Sequence, residues 1–330
     1  MDTEKKVTLT TKLIVFSLLV VAFKGVNLLN LYRGANTTSV NPKVLGASLS
    51  KDVSFGFLPD YPILQDEAPK FAARQYTLFD ADSGIFLVNQ SASEPVPLAS
   101  TTKIMTTILA IEELDLNRIH TVHRSSALQI GSTVQLRIDE KISVESLLYA
   151  ALLNSGNDSA FSLAHELGIH YSNNPNIGYD DAINITVNKM NEKAKSLGLS
   201  SLSFTDPAGL DSLNVGTAQD MAKLAHYAVQ NDTFKRFVGT AEKTVHSADG
   251  LLSHQLKNSN RLISEWNYPG AIGIKTGFTP EAGHNLIAAI NYKGHIIIAV
   301  VFNTYADTKT ASAEVARDIL DFAQRSVNYH

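Results

Sequence analysis

Strand-like and helix-like patterns are segregated along this chain, and the segregation constrains the fold before any residue chemistry is considered. The apolar runs Ile272 to Thr276, Asn285 to Asn291 and His295 to Asn303 have strand length, and the last two turn at Lys293-Gly294. A second strand pair lies far upstream. Gln75 to Phe79 and Ile85 to Asn89 flank Asp80-Ala81-Asp82-Ser83-Gly84, a turn made of residues that tolerate positive φ. Helical spacing fills the interval: a helix beginning at or just before Ser100 and running through Ile111, then Val144 to Leu153 capped by Ser143, Asp158 to Leu167, Ala182 to Leu197 and Ala218 to Val229. Asp307 to Gln324 closes the chain as a helix with Val315, Ile319, Leu320 and Phe322 on its buried side. The pattern predicts an α/β (α+β) fold in which an antiparallel sheet is assembled from the N- and C-terminal segments around one inserted helical cluster.

With 330 residues, 44% hydrophobic and 18% charged, the chain has enough apolar material for a proper core. A net charge of -4 and the lack of a basic stripe interleaved with aromatics argue against nucleic acid as a partner. The sequence has no cysteine, which excludes disulfides, thiolate-ligated metals and a cysteine nucleophile. Compartment is indicated by the N-terminus, where Lys5, Lys6 and Lys12 precede an apolar run from Leu13 to Phe23 broken only by Ser17. This is the pattern of an export signal. An uncleaved signal anchor over residues 1–33 is favoured over a cleaved signal peptide, because no small-residue cleavage site stands out. Either way the bulk of the chain is expected outside the cytoplasm, tethered to the cytoplasmic membrane or, after cleavage, secreted or periplasmic. Residues 34–70, rich in Asn, Ser, Thr, Gly and Pro, read as a flexible spacer, and 71–328 as the globular domain.

Three short motifs carry chemistry: Ser100-Thr101-Thr102-Lys103, Ser155-Gly156-Asn157 and Lys275-Thr276-Gly277. Ser100 at the start of a helix lies where unpaired N–H groups and the helix dipole favour developing negative charge. Lys103, three residues on, shares its face and can meet the hydroxyl as a general base, provided burial and a nearby cation, for which Lys275 is the candidate, lower its pKa. Ser155-Gly156-Asn157 falls at a break between two apolar helices. There the Ser155 hydroxyl can relay a proton, and Asn157 can hold Lys103 with its amide oxygen and a substrate backbone with its nitrogen. Lys275-Thr276-Gly277 ends a strand suited to a sheet edge, where an extended peptide can add and where Lys275 and Thr276 can hold a carboxylate. Gly277 leaves room for a close backbone, and the Phe278 N–H can complete an oxyanion hole opposite that of Ser100. Taken singly, each motif reads equally well as a cap, a surface lysine or a turn. Ser48 with Lys51 also fits the first pattern, and Ser172-Asn173-Asn174 the second.

Taken together, the motifs and their surroundings resemble the D-alanyl-D-alanine carboxypeptidases, low-molecular-mass penicillin-binding proteins of the serine-active DD-peptidase superfamily. Pro97 to Thr106 is similar to the family's nucleophile segment and Leu147 to Ala160 to its second motif. Phe204 to Leu210, Thr217 to Asp220, Asn258 to Asn260 and Gly273 to Leu286 also look familial, so that the likeness spans about residues 72 to 325. The resemblance implies a β-lactamase/DD-peptidase-like fold, no cofactor or metal, a peptidoglycan stem peptide as substrate and β-lactams as covalent inhibitors. It implies attack by Ser100 on the carbonyl between two terminal D-alanines, with Lys103 taking the proton. Many relatives add an all-β domain, which this sequence does not contain. Relatives also often place an arginine after the last strand to bind the terminal carboxylate, whereas Asn303 to Ala313 offers Lys309. Looser carboxylate recognition would admit cross-link bonds, which makes a DD-endopeptidase the first alternative. A serine β-lactamase and an inactive penicillin-binding scaffold stand behind it.

The histidines suggest no competing site. His165-Glu166 with His170 spaces its two imidazoles five residues apart, on different helix faces, which does not suit zinc. His120 and His123 read as solvated residues near a helix end, and His284 as structural.

Overall fold

The computed structural model describes residues 61–329, so the expected signal anchor and most of the expected spacer lie outside the described residues. Its centre is a five-stranded antiparallel sheet of β1 (Ala73–Asp80), β2 (Ile85–Gln90), β3 (Ala271–Thr279), β4 (Gly283–Tyr292) and β5 (His295–Thr304). The order across the sheet is β3-β4-β5-β1-β2, which joins the two ends of the chain at β5 and β1, with Val300 opposite Thr77. β3 is therefore a free edge.

Both faces of the sheet are covered, which accounts for the near-continuous apolar reading of β4 and β5. Along β4, Ile287 and Ala289 face one core, and Leu286, Ala288 and Ile290 face another. Alternation along a strand divides a single apolar run between the two layers. The first core packs the sheet against the helices α1 (Lys103–Glu113), α2 (Val144–Leu153), α3 (Asn157–Ser172), α4 (Tyr179–Ser196) and α5 (Ala218–Val229). The second packs it against α6 (Ala311–Ser326), whose Val315, Ile319, Leu320 and Phe322 are buried as their spacing predicts. Removing a side chain such as Phe302, fully buried in the first core, would cost about 3 to 5 kcal/mol.

The boundaries differ from the sequence reading in instructive places. Residues Pro62–Leu64, expected in the spacer, form a short strand paired with Val327–Tyr329, so the globular unit starts before residue 71. No amphipathic repeat announces three residues, because their partner lies at the other end of the chain. The stretch around Ser100 also departs from a simple helix start. Ala99–Thr102 is a 3-10 turn, entered through Ala99 at a φ of 48°, and the α-helix proper begins at Lys103. Among the described residues no helix is long and apolar enough to cross a membrane.

Candidate active site

The turn Ala99–Thr102 sets Ser100 one tight turn before Lys103, and Lys103 Nζ donates to Ser100 Oγ at 2.8 Å. Two further acceptors, Asn157 Oδ1 at 2.7 Å and the Ala208 carbonyl at 2.9 Å, complete the three bonds an ammonium can donate. The lysine is fully buried. Burial pulls its pKa down from 10.5 to about 7, against the opposing charges of Asp206 and Asp158. This shift makes a free amine available beside the hydroxyl near neutral pH. Lys275 is buried as well, and burial, followed by the positive charge of Lys103, holds it well below its ordinary value. Burial is the largest cause for both lysines, and the repulsion expected between Lys103 and Lys275 is mutual.

Ser155-Gly156-Asn157 occupies the break between α2 and α3, with Ser155 in the left-handed region at a φ of 62°. Gly156 N–H donates to the Ala150 carbonyl and Asn157 N–H to the Ser132 carbonyl at 2.7 Å, so the loop is fixed from both sides. Asn157 holds Lys103 as the sequence suggests, but its Nδ2 donates to the Ile130 carbonyl at 2.6 Å. One amide hydrogen expected to face substrate is committed to the cleft wall. Ser155 lines the cleft next to Ser100.

Lys275-Thr276-Gly277 lies on the edge strand, as expected, but in its interior, since β3 continues to Thr279. Strand alternation turns Lys275 and Gly277 towards the Ala99–Thr102 turn and Thr276 and Phe278 towards the cleft. A Cβ on Gly277 would sit 3.1 Å from the Ser100 nitrogen, so only glycine allows this approach without displacing the turn. Lys275, expected to hold a carboxylate, does not line the cleft, because its Nζ is buried and donates to the Thr276 carbonyl at 3.0 Å. The groups that do face the cleft here are the Thr276 and Ser259 hydroxyls, 2.6 Å apart.

Ser100, Ser155, Asn157, Ser259 and residues 276–278 line a cleft of about 1040 Å³ that runs along the edge strand, roomy enough for an extended peptide. Phe278 is half exposed at its rim and stacks on His284 with ring centroids 4.4 Å apart, while His284 Nε2 lies 3.1 Å from Asp307 Oδ1. Lys309 and Arg261 also line it, the latter paired with Glu265. A seryl hydroxyl, a poised amine and an open strand edge are what acyl transfer to serine requires.

Comparison with known proteins decides the lineage. The family model described as D-alanyl-D-alanine carboxypeptidase matches residues 64–306. The chain belongs to that family. Its relatives in the family include D-alanyl-D-alanine carboxypeptidase DacF of Bacillus subtilis, 33% identical over 264 residues, which make up 78% of this chain and 64% of that protein. The chain thus spans about two thirds of that relative's length. A D-alanyl-D-alanine endopeptidase of Escherichia coli is 30% identical over 74% of this chain and 76% of its own length. The crystal structure of the Streptomyces K15 DD-transpeptidase superposes with a TM-score of 0.71 at 29% identity, covering 78% of this chain and 98% of that one. The fold is the mixed α/β architecture of these DD-peptidases.

Several parts of this family site could not be assigned from sequence. The Ala208 carbonyl carries no side-chain signal, Asp206, which shapes its loop, lies in a stretch marked only by its likeness to the family, and Ser259 lies in another such stretch. The histidines are the clearest correction. His120 lies in a short strand, Ile119–Thr121, is 2% exposed and meets Glu166 Oε2 at 2.8 Å. His123 stacks on Tyr179 at 4.4 Å and packs against His165. The acidic partner of His120 comes from α3, 46 residues away in sequence, which hid the contact from a local reading. Among the described residues no group of three or more His, Cys, Asp or Glu is arranged to hold a metal ion.

Proposed function

We propose that the chain is a serine-type D-alanyl-D-alanine carboxypeptidase that removes the terminal D-alanine from peptidoglycan stem peptides. The observation that carries this reading is the buried Lys103 amine 2.8 Å from Ser100 Oγ, with Ser100 lining a cleft beside a free strand edge. In the first step the neutral amine of Lys103 takes the Ser100 proton while Oγ bonds to the carbonyl carbon and the carbonyl π pair moves onto oxygen. The N–H groups of Ser100 and Phe278 receive that oxyanion. As the tetrahedral centre collapses, the C–N bond breaks and the departing D-alanine nitrogen takes a proton from Lys103 through Ser155. Water then attacks the acyl-enzyme by the same proton path in reverse.

Asn157 holds the base, and the strand β3 binds the peptide backbone. Thr276, with Ser259 beside it, meets the terminal carboxylate. β-Lactams enter the same cleft and acylate the same serine. A DD-endopeptidase reading uses the same residues on cross-links, and it is favoured by the position of Lys275, which leaves hydroxyls rather than an ammonium facing the carboxylate. The N-terminal run Leu13 to Phe23 behind three lysines supports an extracytoplasmic enzyme tethered to the cytoplasmic membrane.

Intact-mass measurement after incubation with benzylpenicillin tests the reading. A single penicilloyl adduct on the wild type and none on Ser100→Ala is expected. Adduct formation by the Ser100→Ala variant would overturn the assignment of the nucleophile. Release of D-alanine from a pentapeptide, set against cleavage of a cross-linked dimer, separates the two substrate readings.

A further inference from the structure

The base is held by two elements that are themselves held by carboxylates, and one of these carboxylates is unusually committed. Asp206 Oδ1 accepts from the N–H groups of Ala208 and Gly209, both at 2.6 Å, and of Leu210 at 3.3 Å. Its Oδ2 accepts from the Asp211 N–H at 2.7 Å and from Asn214 Nδ2 at 2.7 Å. Four consecutive backbone N–H groups are thereby folded around one side chain. The fold of this loop turns the Ala208 carbonyl to Lys103 Nζ and presses Gly209 against the carbonyl of Ala99, the residue before the nucleophile. Gly209 has a φ of 79°, and a Cβ there would overlap the Ala99 carbonyl oxygen.

The charged groups that bear on Lys103 come from three elements. They are Asp206 on this loop, Asp158 on α3 and Lys275 on β3. Asp158 is also engaged elsewhere, accepting from the N–H groups of Val134 at 3.0 Å and Leu136 at 3.1 Å. Asp206 both shapes a direct ligand of the base and sets a charge against it.

We infer that Asp206 is a positioning residue for Lys103, its carboxylate folding the 206–211 loop that holds the amine and supplying a negative charge that faces it. The two parts have separable consequences. Removing the charge favours the neutral amine, so the acid side of the acylation profile moves to lower pH. Moving the carboxylate while keeping its charge loosens the Ala208 contact and lowers the rate with no such movement.

The inference rests on Lys103 being the base proposed above, and the test keeps the two apart. The rate of adduct formation with benzylpenicillin is measured from pH 5 to 9 by intact mass for the wild type, Asp206→Asn and Asp206→Glu. In parallel the Lys103 amine is titrated by NMR of lysine-labelled protein. Asp206→Asn should move both the acid limb and the NMR titration down by about 0.5 to 1 pH unit. Asp206→Glu should leave both in place while the rate falls roughly tenfold. Asp206→Ser, neutral and smaller, replaces the asparagine variant if that protein does not fold. A uniform loss of rate at every pH, with the Lys103 titration unmoved in the neutral variants, would overturn the inference and leave Asp206 a loop staple. A shifted NMR titration in a protein that never acylates would sustain the inference and overturn the proposed function.

Discussion

Two clusters of buried basic side chains lie along α3, and they treat their protons in opposite ways. At its N-terminus Asn157 holds Lys103, whose three donors all find acceptors. Two turns later His165 and Glu166 meet His120 and His123, where His120 Nε2 and His165 Nδ1 are buried with no hydrogen-bond partner among the described residues. Burial lowers both groups, Lys103 to about 7 and His165 to about 4, the latter helped by the neighbouring His120 and His123 and opposed by Glu166. The difference lies in what surrounds them. The charges of Asp206 and Asp158 bring the lysine back to a poise useful near neutral pH, whereas the histidine is held neutral among other histidines. A partnered buried base serves chemistry, and an unpartnered one serves packing and becomes a liability in acid.

The largest effect that would break this comparison is at Lys103. Lys103→Met fills a similar volume without the amine, and acylation by benzylpenicillin should slow by roughly 10²- to 10⁴-fold, measured by timed intact mass. A wild-type rate would remove the lysine from the chemistry. Next is Gly209→Ala, which puts a side chain on a residue of positive φ directly against the backbone before Ser100. It should lower stability by about 2 to 4 kcal/mol in denaturant unfolding and depress acylation with it.

The histidine cluster should show itself in acid. In the fold His165 stays neutral down to about pH 4, while the unfolded chain takes up that proton near the ordinary value of 6.5. Between those values the unfolded state binds more protons, so stability is full above about pH 6.5 and falls as pH drops towards 4. For this partly screened cluster the loss is roughly 1 to 3 kcal/mol, and His165→Leu should flatten it in urea unfolding at a series of pH values. An unchanged slope would show that the cluster is not the source. The smallest effect belongs to a surface pair that joins neither cluster, Lys189 with Glu192 on α4 at 2.7 Å. Lys189→Ala should change unfolding free energy by less than about 0.5 kcal/mol, with no change in acylation.

Much of this molecule is legible in order along the chain. The helix Ala218–Val229 and the strand pair ending in β5 were readable because their periodicity is local, and Ser143 marks its helix by the hydroxyl that accepts from the Ser146 N–H. Ser100 and Lys103 were readable because three residues of helical turn bring them together whatever the rest of the chain does. The contacts made by residues distant in sequence were not. His120 met Glu166 across 46 residues, and Pro62–Leu64 found its partner at the far terminus.

By itself, then, the sequence determined the kind of fold, the three motifs and the pairing of serine with lysine, because each rests on spacing within one element. Only the tertiary structure decided that Lys275 is buried behind the cleft rather than facing it, that Ala208 and Asp206 complete the surroundings of the base, and that Thr276 and Ser259 line the cleft. Those outcomes depend on which groups lose their water and which acceptors wait for them, and both are set by segments that meet only when the chain is folded.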